Sequence, residues 1–148
     1  MPFEEGPYVQ AAAFCDQVIE DKTGTLSLIR IIDTLTHQQV GPEPPSELPP
    51  VTHSMKLVLA LKSGRAVGRH QVRIVPHAPS EETEPPLEVT VHLEGEGQGA
   101  NIILNVTYRF ALEGLYWFYV YFDDALLTKV PFRVRYIRVT SGPMPPPG

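Results

Sequence analysis

Apolar and polar residues alternate along most of this chain with the period of two that a half-buried β-strand shows. Gly, Pro, Asp and Ser residues separate the alternating segments at intervals of roughly a dozen residues. This combination is typical of an all-β protein, and we predict an antiparallel β-sandwich of seven to nine strands. The segments that alternate most clearly are residues 8–19, 26–33, 52–62, 69–75, 87–93, 102–112, 115–122 and 126–139.

Short turns join two pairs of these segments into predicted β-hairpins. Residues 20–24 form the turn of the first hairpin, and residues 123–125 form that of the second. A three-residue connection in the second hairpin determines which residues lie opposite each other. The expected inward pairs are Phe122 with Leu126, Val120 with Thr128, Phe118 with Val130, and Tyr116 with Phe132.

The strand predicted over residues 115–122 divides its large side chains between two faces. If its even-numbered residues fill the core, strict alternation places one Trp and two Tyr residues on the outside. In the predicted register they lie beside an Arg and a Lys of the next strand. Trp, Tyr and Arg dominate the energetics of protein interfaces, and cations bind favourably over aromatic rings. The predicted partner-binding residues are Trp117, Tyr119, Tyr121, Lys129 and Arg133.

Another part of the same domain could cover these aromatic residues. One candidate is the segment around Phe3, and the other is the proline-rich stretch of residues 41–50. Five prolines in that stretch exclude a regular hydrogen-bonded ladder, so we predict an extended connection from one sheet to the other. Residues 76–86 are also rich in proline and in acidic residues, and we predict an exposed loop there.

One domain accounts for the 148 residues, because a chain of this length can bury a core by itself. We predict a single sandwich domain over residues 1–140. Residues 141–148, with the sequence SGPMPPPG, offer little side-chain surface for packing and are expected to form a flexible tail.

Charge and cysteine content narrow the expected partners and compartment. The net charge is −5, and the twelve Lys and Arg residues form no run, so we expect no nucleic-acid partner. The only cysteine, Cys15, excludes an internal disulfide, and residues 1–10 lack the pattern of a secretory signal. No apolar stretch approaches the roughly 20 residues needed to cross a bilayer, so we expect no membrane partner. These features predict a cytoplasmic protein.

The residues that could bind a metal or take part in catalysis have simpler structural explanations. No two histidines have the spacing that prepares a metal site, and the best pair would be His70 with His92 if neighbouring strands pointed both rings outward. Asp123 and Asp124 fit a turn, and Cys15 lacks a neighbouring base, which predicts a buried structural thiol. The chain also lacks the GxSxG motif of serine hydrolases. We therefore expect no enzymatic activity, no cofactor and no metal.

Two stretches, AAAFCDQVIEDKTGTLSLIRIID and FALEGLYWFYVYFDDALLTKVPFRV, resemble a bacterial family of small proteins of unknown function. The internal GRHQVRIV fits the same family pattern, so the resemblance extends over most of the chain. It implies a β-sandwich, and it implies no activity or catalytic residue. The chain departs from the pattern at Asp124, where a glycine is usual, and in its proline-rich middle.

Residues 112–116, with the sequence LEGLY, look like the tyrosine corner of immunoglobulin-like sandwiches. In that motif, a Tyr at the start of a strand bonds through its hydroxyl to nearby backbone. The predicted fold is therefore an immunoglobulin-like antiparallel β-sandwich, in which Tyr116 attaches a loop to the core.

The expected function is a non-enzymatic binding or assembly module. Its partner would be another protein or a second copy of the chain, engaged through the last hairpin. A sandwich that binds a carbohydrate or another small molecule is one alternative, and it would use the same aromatic residues in a groove. A metal-dependent enzyme is the other alternative, and it would require His70 and His92 to converge.

Overall fold

A computed structural model describes residues 3–140 of the chain, and the part it describes contains only strands, turns and loops. The alternating segments form long strands because each buries one row of apolar side chains. No helix in residues 3–140 is long and apolar enough to span a membrane. The strands are β1 (Tyr8–Glu20), β2 (Leu26–Ile32), β3 (Thr34–Gly41), β4 (Val51–Lys62), β5 (Val67–His77), β6 (Leu87–Glu94), β7 (Gly99–Phe110), β8 (Gly114–Phe122) and β9 (Ala125–Thr140).

The nine strands form two sheets that pack as a sandwich. Sheet A has the strand order β2-β1-β4-β7, and sheet B has the order β3-β9-β8-β5-β6. The predicted all-β sandwich is confirmed, and the number of strands lies in the predicted range. One pair departs from the antiparallel prediction, because β3 runs parallel to β9.

Strand β3 was not predicted from the sequence. Its residues, TLTHQQVG, are mostly polar, and only Leu35 packs against the core cluster, so the alternation signal is weak. Asp33 alone separates β2 from β3, and there the chain passes from sheet A to sheet B. The Asp33 carbonyl accepts a hydrogen bond from the Arg133 amide at 2.8 Å, where β3 begins to run beside β9.

Aromatic rings from both sheets fill the centre of the sandwich. Phe14 of sheet A contacts Phe118 and Phe132 of sheet B, with ring centroids 4.8 and 5.3 Å apart. Phe110 contacts Tyr116 at 5.0 Å in an edge-on arrangement, which aromatic pairs favour. The inward positions predicted for β8 are confirmed as buried: Tyr116, Phe118, Val120 and Phe122.

The predicted hairpin of β8 and β9 is confirmed, but its turn is shorter than predicted. Asp123 and Asp124 form a two-residue turn with φ values of 52° and 92°, so both adopt the left-handed conformation of a type I′ turn. The register shifts by one residue at a bulge beside Val120 and Tyr121, so Phe122 lies opposite Ala125 and not Leu126. Beyond this bulge, the remaining predicted inward pairs are observed.

The predicted tyrosine corner is also confirmed. The Tyr116 hydroxyl donates to the Leu112 carbonyl at 2.7 Å and accepts from the Leu112 amide at 3.1 Å. This residue is 2% exposed, so the two bonds satisfy a hydroxyl that is almost entirely removed from water. They fix the start of β8 and hence the direction in which each of its side chains points.

The two proline-rich segments have different structures. Residues 41–50 cross from β3 in sheet B to β4 in sheet A, as predicted, and Leu48 packs into the core. Residues 76–86 contain more structure than the predicted loop, because β5 continues to His77, which pairs with Thr83. The predicted tail, residues 141–148, lies outside the described residues.

Candidate functional site

The candidate site is the outward face of sheet B, where β8 lies between β9 and β5. Because the even-numbered residues of β8 fill the core, its odd-numbered rings point away from it. Trp117 is 36% exposed, and Tyr119 and Tyr121 are half-buried. Cationic side chains of β5 and β9 surround these rings. We call the following set the basic aromatic face: Arg73, His77, Trp117, Tyr119, Tyr121, Lys129 and Arg133.

Tyr119 is held between two neighbours from opposite sides of β8. His77 of β5 stacks on its ring with centroids 3.9 Å apart and an interplanar angle of 21°. From β9, the Lys129 ammonium lies 4.6 Å from the centroid of the same ring. The ring's negative face attracts the cation, and contacts on both sides restrict its rotation.

Tyr121 has a similar contact with β5. The Arg73 guanidinium lies 5.1 Å from the centroid of the Tyr121 ring, which is the distance at which cation–π attraction is significant. Arg73 Nε is buried and has no hydrogen-bond partner among residues 3–140. Glu88 of the edge strand β6 lies opposite Arg73, but the two side chains do not form a salt bridge.

Arg133 and Trp117 lie farther from the turn. Trp117 lies opposite Pro131 of β9 and His77 of β5, and Arg133 lies opposite Leu115. The Arg133 side chain is exposed, and no ring contact positions it as one positions Lys129. All five residues predicted from the sequence therefore lie on one face, with Lys129 in contact with a ring and Arg133 beyond the rings.

The two segments considered as covers make their contacts elsewhere. In residues 41–50, the Pro45 carbonyl accepts a hydrogen bond from the Tyr136 hydroxyl at 2.8 Å. Pro44 accepts one from Arg138 at 3.2 Å, also near the end of β9. Phe3 packs edge-on against Phe122, an inward ring, at 6.2 Å. These contacts lie at the end of β9 and on the inward side of β8.

Arg73 and His77 were not predicted as site residues. Their orientation follows from alternation, because Val72 and Ile74 of the same strand are buried in the core. The strand beside them could not have been inferred, because β5 and β8 are far apart in the sequence and no turn connects them. His77 also lies beyond residue 75, where the strand was predicted to end.

His70 and His92 do not converge. Their strands are neighbours, as a shared site would need, but His70 lies opposite Val91 and His92 lies opposite Arg69. The His70 ring packs on the inward ring of Phe122 with centroids 4.6 Å apart. Among residues 3–140, no three His, Cys, Asp or Glu side chains group as metal ligands would.

His70 instead bonds to the hairpin turn. Its Nε2 lies 2.8 Å from the Val67 carbonyl, and its Nδ1 lies 2.5 Å from the Asp123 carboxylate. A carbonyl and an ionised carboxylate both accept hydrogen bonds, so this geometry favours the imidazolium, in which both ring nitrogens donate. Burial lowers the pKa of His70, but the bonds to Asp123 and Val67 outweigh it and raise the pKa above its ordinary value.

Cys15 is buried, as predicted, and does not contribute to the basic aromatic face. Its side chain belongs to sheet A, and its thiol donates a weak hydrogen bond to the Gln17 carbonyl at 3.4 Å. Burial, followed by the nearby Asp16 carboxylate, raises the pKa of the Cys15 thiol. A raised pKa disfavours the thiolate and hence nucleophilic reactivity.

A cleft of about 520 Å³ opens between β7 and residues 76–87. Phe118 and Val106 line its inner part, and Glu84 lies at its rim. Tyr108 lines it as well, and the Tyr108 hydroxyl has no hydrogen-bond partner within residues 3–140. Burial, with a smaller contribution from the Glu84 charge, raises the pKa of Tyr108 to about 12.

Comparison with known proteins identifies the family of the chain. An immunoglobulin-like protein from Pseudomonas aeruginosa is among the similar solved structures, with 15% identity, coverage of 88% of this chain and 97% of that chain, and a TM-score of 0.40. No curated protein matches the chain. The model of a family of unknown function matches residues 10–135 and confirms the family resemblance of the sequence. The chain therefore belongs to DUF6941, a family of unknown function.

Proposed function

We propose that this protein is a non-enzymatic binding module that engages a protein partner, or a second copy of itself, through the basic aromatic face. One observation carries the proposal: Trp117, Tyr119 and Tyr121 form an outward row, and cations from both neighbouring strands contact the two tyrosines. Aromatic residues and Arg are the side chains most enriched where protein interfaces gain their binding energy.

The geometry of this face supports binding because its rings are already fixed. The stack of His77 on Tyr119 and the contact of Arg73 with Tyr121 hold the side chains in one arrangement. Binding then loses less side-chain entropy than it would with free rotors, for which the loss is about 0.5–1.5 kcal/mol per side chain.

The composition of the face supports binding over catalysis. Nucleophilic or general acid–base catalysis needs a hydroxyl, thiol or carboxylate beside a base. On the basic aromatic face, the only such groups are the hydroxyls of Tyr119 and Tyr121. The imidazole of His77, which could act as a base, is stacked on the Tyr119 ring.

We place the module in the cytoplasm, and the single buried Cys15 supports a reducing compartment.

Removal of the rings tests the proposal. We expect a Trp117→Ala, Tyr119→Ala double variant to lose at least about tenfold in affinity for a captured partner, or to dissociate a self-assembled form. Affinity capture from the native host, followed by light scattering of the purified protein, measures both. The matched control is Ile31→Ala with Ile103→Ala, which truncates two exposed side chains of sheet A. Unchanged capture and unchanged mass in the ring variant would contradict the proposal.

A second candidate function is the binding of a small molecule in the cleft beside β7. Its volume lies within the range of about 300–1,000 Å³ that is usual for ligand sites. The half-buried Tyr108 hydroxyl favours this candidate, because it can donate to a ligand acceptor. A screen of metabolite mixtures by ligand-observed NMR, with Tyr108→Phe as control, tests it: signals that the variant does not change would count against the cleft.

A further inference from the structure

The chemistry of the partner can be inferred from the charges and contacts of the face, and this inference rests on the proposed function. We propose that the basic aromatic face binds an acidic segment of another protein. Its carboxylates pair with Arg73, Lys129 and Arg133, and an apolar side chain of the same segment covers Trp117.

Charge is unevenly distributed over the surface of the protein. The protein has a net charge of −5, yet the outward positions of β5, β8 and β9 contain five cations and no Asp or Glu. The two carboxylates on the same side of sheet B belong to its edge strand β6. A locally positive surface on an acidic protein attracts an anionic partner and repels a cationic one. The five cations are Arg69, Arg73, Lys129, Arg133 and Arg135.

These cations have no ionic partners within residues 3–140. The salt bridges within residues 3–140 join Arg30 to Asp16, Arg65 to two glutamates, and His70 to Asp123. None of them involves the basic aromatic face. Arg73 and Lys129 instead lie over rings, which leaves their charge available to carboxylates that approach from outside.

The occupied rings of the two tyrosines favour a carboxylate partner over a nucleic acid or a sugar. Bases and sugars bind outward aromatic rows by stacking on free ring faces. On this protein, His77 and Lys129 occupy the ring of Tyr119, and Arg73 lies over that of Tyr121. At these two tyrosines, a base or sugar would have to displace the side chains that occupy the rings, whereas a carboxylate can approach the same cations without moving them.

The charge of this face does not fit a symmetric dimer. In a two-fold dimer, the same surface of each copy faces the other, so two basic faces would meet. Like charges opposed across an interface are destabilising, and the outward positions of the central strands offer no acid to compensate them. The face therefore fits a different chain better than it fits its own copy.

The spacing of the cations describes the partner further. Lys129 and Arg133 are four residues apart on β9 and both point outward, which separates them by about 13 Å. In an extended partner segment, residues i and i+4 have the same separation and point to the same side. Trp117 lies opposite Pro131, midway between the two cations, so an apolar residue near i+2 would reach it.

A defined probe tests this partner chemistry. The probe is a fluorescein-labelled peptide of glutamates interrupted by leucines, with its glutamine counterpart and an oligothymidine as comparisons. We expect fluorescence anisotropy to show binding of the glutamate peptide at about 50 mM salt and at least about tenfold weaker binding at about 300 mM. Wild-type protein that fails to bind this peptide at low salt, or that binds the oligothymidine more tightly, overturns the inference.

Charge reversal locates the binding. Lys129→Glu with Arg133→Glu should weaken peptide affinity at least about tenfold, because two attractions become repulsions. The matched control, Lys22→Glu with Lys62→Glu, makes the same change in net charge on exposed positions of sheet A and its turn, and should retain affinity within about twofold. Thermal melts establish that both variants fold. Equal losses in the two variants overturn the inference, because the attraction would then be that of the whole protein.

The inference and the proposed function fail in different ways. If Trp117→Ala with Tyr119→Ala abolishes capture of the native partner while charge reversal and salt leave it unchanged, the face binds but its partner is not acidic. If none of these changes affects capture, the proposed function fails as well. Concentration-dependent association of wild-type protein by light scattering would show that a second copy binds, and it would overturn the choice of another protein.

Discussion

The outward faces of the two sheets differ in how far their side chains are buried and in the interactions that they make within the chain. On sheet A, Val58 of the central strand β4 lies between Ala13 of β1 and Ile103 of β7, and it is fully buried although its neighbours Leu57 and Leu59 fill the core side. Two of the cations of sheet A, Arg30 and Lys56, also have partners within the chain. Arg30 Nε lies 3.2 Å from an Asp16 carboxylate, and Lys56 bonds to the Asn105 amide oxygen.

On sheet B, the rings remain partly exposed and the cations have no carboxylate partners. Trp117 is about as exposed as Ile103, but it lies opposite Pro131, between Lys129, which contacts a ring, and Arg133, which has no ring contact or salt bridge within residues 3–140. The comparison shows that exposure alone does not distinguish a binding surface. The buried aliphatic side chains and the two partnered cations of sheet A have their interactions within the chain, whereas the fixed rings and unpaired cations of sheet B can still interact with another molecule.

The largest expected effect tests whether sheet A covers its own outward side chains. Val58→Asp places a carboxylate at a fully buried position whose cross-strand neighbours are Ala13 and Ile103, and we expect it to lower the free energy of unfolding by at least about 3 kcal/mol. Urea denaturation measures the change. The matched control is Ile31→Asp on the same sheet, where the side chain is 65% exposed and the expected change is below about 1 kcal/mol. Equal costs at both positions would show that sheet A does not protect its outer face.

The difference between the two faces depends on the orientation of β8, and the tyrosine corner fixes its first end. Tyr116→Phe removes both hydrogen bonds to Leu112 without changing the packing of the ring, so we expect a loss of about 1–2 kcal/mol in unfolding free energy. Tyr108→Phe is the control, because the Tyr108 hydroxyl bonds to no group in residues 3–140. A Tyr116→Phe protein as stable as this control would remove the corner from the explanation.

Local pattern was enough to predict much of this organisation. The alternation in β8 predicted which rings point outward, and the adjacent turn made β9 its neighbour, so Lys129 and Arg133 could be placed beside the rings. The turn itself was predicted one residue too long, because the left-handed conformation of Asp124 and the bulge at Tyr121 leave no clear pattern in the sequence.

The contribution of β5 could not be predicted in the same way. Its pairing with β8 is a long-range choice among several apolar strands, and alternation does not indicate which strands become neighbours. Arg73 and His77 therefore appear as site residues only in the folded sheet. The same limit applies to β3, whose parallel partner β9 lies at the other end of the chain.

At the second end of β8, His70 bonds to the turn residue Asp123. The raised pKa of His70 means that the folded protein holds its proton more tightly than the unfolded chain, whose value is near 6.5. The stabilisation is thus complete below pH 6.5 and is lost as pH rises through the folded pKa. We expect a loss of about 1 kcal/mol over this interval, limited by solvent screening because the Asp123 side chain is 54% exposed.

Urea denaturation between pH 6 and 9, compared with His70→Gln, measures this effect, and NMR titration of the imidazole gives its pKa directly. The variant should lack the decline in stability across that range. The pKa of Asp123 shifts in the opposite direction. Burial raises this pKa, but the hydrogen bonds from Gln71 and His70 outweigh burial and lower it. Its stabilisation is therefore lost only in acid. A His70 pKa at or below 6.5 would exclude the imidazolium geometry.

The smallest expected effect separates the two aspartates of the turn. Asp124 has a φ of 92°, which disfavours any side chain, and no hydrogen bond of its carboxylate compensates within residues 3–140. We expect Asp124→Gly to raise the free energy of unfolding by roughly 0.5–1 kcal/mol.

Asp123 has a φ of 52°, but its carboxylate accepts bonds from the Gln71 amide at 3.0 Å and from His70. Asp123→Gly should therefore lower stability by about 1 kcal/mol, since the lost bonds outweigh the relief of strain. Denaturation of the two variants under one condition tests the opposite signs. Two changes of the same sign would mean that backbone strain alone controls this turn, and that the bond to His70 does not hold β8 in the orientation that turns its rings outward.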